Sequence, residues 1–317
     1  MQYRRLGRTG LLVSEISLGT VELGLDYGIR TEAGTNQPTP AEAERLLHHA
    51  VDIGINFLDT AAAYGTSETL IGKALRDRRS EIYIATKCMH YHDPTGSAPE
   101  IQRQMTASID ESLRRLQTDR IDLIQIHGRD DPALEMRMVR EGIALETLQV
   151  AKRAGKVRFI GYSSYLPEVT LAILSQGEWD TLQIAYNIFD RRNEETVIPA
   201  ARKSDTGVII RSALLKGALT DRARHLPEHL RPLAERTDRL RGLLTDRIAT
   251  LPQLALRFVL SCPDISTVIV GADRTAYVEE AVATSDGEGL PGDVWEAVQS
   301  ERIDNPDLLN PGKWGIP

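Results

Sequence analysis

Several things are scarce in this chain of 317 residues. It has two cysteines, Cys88 and Cys262, too few for a disulfide framework, so nothing asks for an oxidising compartment. Aromatic residues make up only 5%. No stretch approaches the roughly 18 uninterrupted apolar residues of a membrane span, and the start, "MQYRRLGRTG", has no apolar signal core. Positive charge is also short. With 38 Lys and Arg against 45 Asp and Glu, the net charge is -7 and the pI about 5.6. That is the wrong sign for a nucleic-acid binder. The expectation is a cytoplasmic protein with neither membrane nor nucleic-acid partner, a monomer or weak homo-oligomer.

What is present is a pattern. Apolar residues reach 41%, enough for a sizeable core. Short β-rich runs alternate with helical ones: "EISLGT", "INFLDT", "EIYIATK", "IDLIQIH", "VRFIGYSS", "TLQIAYN", "GVIIRSAL" and "STVIVGA", each followed by a helical pattern. In the first helix Thr39 reads as the N-cap, Pro40 as the first helical residue and Gly54 as the stop. Strands separated by helices pair in parallel with right-handed crossovers. Eight such units predict a closed (β/α)8 TIM barrel spanning 1–317 as a single domain. No G-x-G-x-x-G follows the first strand, which counts against an open dinucleotide-binding sheet. A hairpin turning between Gly7 and Gly10 is expected to plug the N-terminal mouth. Residues 219–250, polar and Arg-rich, read as a long loop with helical pieces, and the tail from about Arg302 as irregular.

In such a barrel the chemistry lies at the C-terminal ends of the strands. The second strand ends at Asp59, with Tyr64 in the following loop. The third ends at Lys87, one of only seven lysines, and the fourth at His127. Alone, each has an ordinary reading as a cap, packing residue or solvated charge. Together they make a proton-transfer device. A free tyrosine has a pKa of about 10. A lysine ammonium beside it is expected to lower that value, and an aspartate to keep the lysine charged. A histidine across the site can hydrogen-bond a carbonyl oxygen.

The stretches "YRRLGRTGLLVSEISLGT", "GINFLDTAAAYG", "IYIATK", "RIDLIQIH", "GKVRFIGYSS", "LQIAYNIFD" and "STVIVGA" resemble the aldo-keto reductases over nearly the whole chain. The resemblance implies a catalytic tetrad of Asp59, Tyr64, Lys87 and His127. It implies hydride transfer from a reduced nicotinamide to a carbonyl carbon, with Tyr64 as proton donor. It also implies a dinucleotide, NADP by default with NAD possible, lying across the barrel mouth.

The implied cofactor contacts begin at Gly19 and Thr20 and continue to Ser163, Ser164 and Gln183, where Ser164 stands in place of the family's Asn. Arg211 takes the place of an aromatic that stacks on the nicotinamide ring. A guanidinium plane can stack too, or can turn away to a carboxylate. Ser212, Leu214, Lys216 and Gly217 fit the diphosphate loop. After the last strand, Gly271 and Glu280 match the family pattern. Arg274 could pair with a 2′-phosphate, Asp273 would repel one, and Tyr277 and Ala281 replace the usual Gln or Arg and Asn.

Substrate determinants should lie on loops, with Tyr27, His90 and Arg129 as candidates. Their polarity favours a hydroxylated or anionic small-molecule carbonyl compound. No metal site is expected: His90-x-His92 and the pair His225 and His229 lack completing ligands. Cys88, next to Lys87, should point away from the site. Two other readings stand beside the reductase: a redox-neutral dehydratase or epimerase using the same tetrad, and a non-catalytic binding subunit.

Overall fold

A computed structural model describes residues 1–31, 36–88 and 96–316. Two short strands, β1 (Tyr3–Arg5) and β2 (Leu12–Ser14), form an antiparallel hairpin. Eight more follow: β3 (Ile16–Gly19), β4 (Phe57–Asp59), β5 (Tyr83–Cys88), β6 (Ile121–His127), β7 (Val157–Ser164), β8 (Thr181–Ala185), β9 (Gly207–Arg211) and β10 (Thr267–Gly271). They close into an all-parallel barrel in chain order, β10 pairing β3. All eight expected strands are there, each within a few residues of the predicted bounds.

The helices form where the sequence marks them. Pro40–Asp52 starts with a capping box: the Thr39 hydroxyl accepts from the Glu42 amide, and the Glu42 carboxylate accepts from the Thr39 amide. Its buried face is Ala43, Leu46, Leu47, Ala50 and Val51, a 3.6-residue stripe against the barrel. The hairpin closes the N-terminal mouth as expected. Leu6, Leu11 and Val13 join Phe57, Ala85, Leu123 and Ile209 in a small apolar cluster at that end.

The expected elements leave out one helix: "PALEMRMVRE", Pro132–Glu141, capped by Asp131. The insertion has the helical pieces expected of it, a helix at Arg231–Arg241 among 3-10 turns. The tail is only partly irregular. It has helical turns at Pro306–Leu309 and Pro311–Lys313 and is tied to the mouth, where Asn310 donates to Asp130 and Lys216 donates to the Ile316 carbonyl. These hydrogen bonds order a segment whose own sequence has no periodicity. Among the described residues no helix is long and apolar enough to cross a membrane.

Candidate active site

Strand register brings the ionisable residues together. Asp59 pairs with Ala85, so Lys87 lies two residues further along β5, on the same face. Lys87 pairs with Gln125 on β6, and His127 with Ser163 on β7. The Lys87 ammonium is buried, 2.6 Å from Asp59 Oδ2 and 2.9 Å from the Thr60 carbonyl. Asp59 Oδ1 accepts from Gln183 at 2.7 Å and from Gln125 at 3.4 Å. This carboxylate therefore has partners on three strands. Burying an unpaired ammonium would be prohibitive; burying this pair is tolerable because its hydrogen bonds are made.

Tyr64 is placed by its loop. Gly65 adopts a left-handed conformation (φ 53), and a Cβ at Gly24 would fall 1.8 Å from the Tyr64 carbonyl. Only glycines allow that approach of the two loops. Thr20, Ser67 and Thr60 stitch the same loops through hydroxyl contacts of 2.8 and 3.0 Å. The Lys87 Nζ then sits 5.1 Å from the Tyr64 ring centre, and the His127 ring meets it edge-on at 5.9 Å. All four expected catalytic side chains share one site.

The electrostatics differ from expectation at one point. Burial, reinforced by the Asp59 charge, pushes the Tyr64 phenol up, not down; Arg211 opposes this. The Lys87 charge is offset by Asp59 at 2.6 Å, so it does not dominate the phenol. Burial in turn pulls the Lys87 ammonium down, against the Asp59 charge.

A cavity of about 300 Å³ opens beside these groups. Of the residues named from the sequence, Gly19, Thr20, Gln183, Arg211, Ser212, Leu214, Lys216, Gly217, Gly271, Asp273, Tyr277 and Glu280 line it, and so does Tyr27. Among the described residues Arg211 pairs with no carboxylate: its guanidinium lies 3.8 Å over the Tyr165 ring and donates to Ser163 Oγ at 3.1 Å. Ser163 donates onward to Gln183, completing a hydrogen-bonded chain to Asp59. Lys216, in a left-handed turn with Ser212 and Leu215, lies 4.7 Å over the Tyr27 ring. Glu280 bonds to Thr250.

Ser164 does not fit its expected role. Its hydroxyl donates to Glu135 at 2.9 Å and accepts from the Leu166 amide. Successive strand residues face opposite ways, so Ser163 and Ser164 cannot share a face. Arg274 is already paired with Asp273, at 3.1 Å. Arg129 lies on the rim beyond β6. His90 and His92 fall outside the described residues. Cys88 points away from the site as expected; its Sγ lies 3.7 Å from the Met105 carbonyl, and burial pushes the thiol up to about 12.

Some site residues have no expectation behind them. Gln125 was legible, two residues before His127 on the same strand face. Glu22, Arg222, Tyr165 and Glu135 join the site only through tertiary proximity.

The Aldo/keto reductase family model matches residues 15–301. The chain belongs to this family. It is similar to the aldo-keto reductase YhdN of Bacillus subtilis, 30% identical over 88% of this chain and 87% of the relative. It is also similar to the L-galactose dehydrogenase of Arabidopsis thaliana, 31% identical over 89% and 88%. Among solved structures, the holo form of aldo-keto reductase AKR11C1 from Bacillus halodurans superposes with a TM-score of 0.76. That pair is 30% identical and covers 96% of this chain and 97% of the other. In this aldo/keto reductase Asp59, Tyr64, Lys87 and His127 meet at the mouth of the barrel.

Proposed function

We propose that this aldo/keto reductase reduces an aldehyde or ketone to an alcohol, using a reduced nicotinamide dinucleotide. The observation that carries the reading is the Lys87 ammonium, buried on Asp59 and flanking the Tyr64 ring at the open end of the barrel. The residues present fit a dinucleotide. A long cavity runs past them, and one of its buried oxygens, Glu22 Oε2, has no hydrogen-bond partner. Arg211, Ser212, Lys216 and Tyr277 would hold such a ligand, which supplies the hydride when bound.

The protein's own part is acid–base work. Burial and Asp59 keep the Tyr64 phenol protonated well above neutral pH, so it donates a proton to the carbonyl oxygen rather than taking one. As the phenol loses its proton, the ammonium 5.1 Å from its ring stabilises the developing charge. Asp59, held by two glutamine amides, stays aligned on Lys87. His127, edge-on to Tyr64, is placed to hydrogen-bond the same oxygen.

A polar, sugar-like carbonyl compound is the favoured substrate class. The polar and charged cavity lining, with Arg211, Lys216 and Glu22, supports it, as does the likeness to the L-galactose dehydrogenase. The test is turnover of hydroxylated and anionic aldehydes against aromatic aldehydes, followed by loss of reduced-nicotinamide absorbance with each dinucleotide. Faster turnover of the polar set is expected; turnover of aromatic aldehydes alone would remove the substrate reading. No oxidation with any carbonyl, despite tight dinucleotide binding, would favour redox-neutral chemistry.

A further inference from the structure

We propose that Glu22 and Asp273 select the dinucleotide with a free adenosine 2′-hydroxyl, NADH, over NADPH. The inference rests on the reductase reading above, and replaces the family's default cofactor.

The cavity is continuous from Asp59 and Tyr64 to Tyr277 and Glu280. Hydride transfer requires the nicotinamide at the Tyr64 end. The adenosine half therefore lies toward Asp273 and Tyr277. A 2′-phosphate there would need free cations. Asp273 has taken both that are close. Arg222 reaches its Oδ2 at 2.8 Å and Arg274 its Oδ1 at 3.1 Å, while the Asp273 side chain is only 6% exposed. Both guanidiniums also lie against the Tyr277 ring, at 5.6 and 5.0 Å from its centre. Among the described residues, the two cations that line the cavity besides Arg222 lie on other partners: Arg211 on Ser163 and Tyr165, Lys216 on the Ile316 carbonyl and the Tyr27 ring.

A second carboxyl comes from the opposite loop. Glu22 follows β3, the strand that pairs with β10, and lies directly against Gly271. A Cβ at Gly271 would fall 2.2 Å from Glu22 Oε1, so the glycine makes the room this side chain occupies. Glu22 lines the cavity close enough for its charge to act on Tyr64 as well as Asp273, and among the described residues its buried Oε2 has no hydrogen-bond partner. A buried orphan oxygen costs free energy that a ribose hydroxyl would recover. Burial above all, with the Asp273 charge, holds this carboxyl up at about 7, against a hydrogen bond from its own backbone amide and the pull of Arg222. A carboxyl in either protonation state bonds a hydroxyl. A 2′-phosphate would instead bring about −1.5 to −2 of charge beside two acidic groups. Neutralising it would mean breaking the Arg222 or Arg274 pair.

The test is calorimetric titration of the full chain with NADH and NADPH, for wild type, Glu22→Gln and Asp273→Ala. Wild type should bind NADH at least about ten-fold more tightly. Asp273→Ala frees two arginines and should tighten NADPH about ten-fold while leaving NADH within about three-fold. Glu22→Gln should narrow the preference several-fold. If that variant does not fold, the wild-type ratio and Asp273→Ala decide alone. Wild type binding NADPH as tightly as NADH would overturn the inference and leave the reductase reading intact. An equal change for both ligands in both variants would place the two carboxyls beside the shared diphosphate, and would also overturn it. Binding of neither dinucleotide by folded wild type would overturn the reductase reading itself.

Discussion

At the Tyr64 end of the cavity, the charged groups sit on barrel strands or in a loop fixed by close glycine contacts. At the Tyr277 end they sit on the insertion, the loop after β3 and the loop after β10. The first set is held by the ladder: Asp59, Lys87, Gln125 and Gln183 meet because four strands share one register. The second set is held by side chains alone, with Arg222 crossing from the insertion to Asp273. Backbone hydrogen bonds leave little freedom in the chemistry, whereas side-chain pairs on loops leave cofactor choice free to vary.

That contrast can be broken by removing one partner at each end. Lys87→Met leaves the Asp59 carboxylate buried without a cation, and should cost about 3–5 kcal/mol of unfolding free energy in urea titrations. Asp273→Ala leaves Arg274, its side chain 62% exposed, free to reach solvent, and leaves Arg222, 19% exposed, without its carboxylate. It should cost about 1–3 kcal/mol, less than the Lys87 change. Equal losses at the two ends would show that the strand-held set is no more tightly built than the loop-held one.

A pH-dependent effect sharpens the catalytic end. Glu135, fully buried behind Ser164, has its carboxyl raised from the usual 4.5 to about 7, chiefly by burial and against the Ser164 hydrogen bond. The folded chain therefore holds this proton where the unfolded chain has released it. The stability it contributes is complete below pH 4.5 and is lost as pH rises through 7. The loss should approach about 3 kcal/mol, at about 1.36 kcal/mol per pH unit. Urea unfolding of Glu135→Gln should show that much less decline between these pH values. An unchanged pH profile would show that Glu135 is ionised in the fold.

Legibility followed the same division. The barrel and the tetrad could be read because strand residues obey a period of two, and because parallel strands put their ends at one mouth. The same rule, applied to "GYSS", separates Ser163 from Ser164; reading both as ligand contacts ignored it. The helix Pro132–Glu141 was hidden behind the polar "GRDDP", although Asp131 and Pro132 are a regular helix start. The Tyr64 pKa could not be read, since it depends on how far Asp59 cancels Lys87 and how deeply the ring is buried. Glu22 and Arg222 have no local signal: they meet Asp273 across the cavity from distant parts of the chain.

The measurement that bears most directly on the account is single-turnover carbonyl reduction by Tyr64→Phe beside wild type, with dinucleotide affinity measured on the same samples. Loss of the phenol should lower the reduction rate by about 10²–10⁴-fold and leave dinucleotide affinity nearly unchanged. A variant that reduces the carbonyl at the wild-type rate would show that another group donates the proton, and would contradict the role assigned to Tyr64.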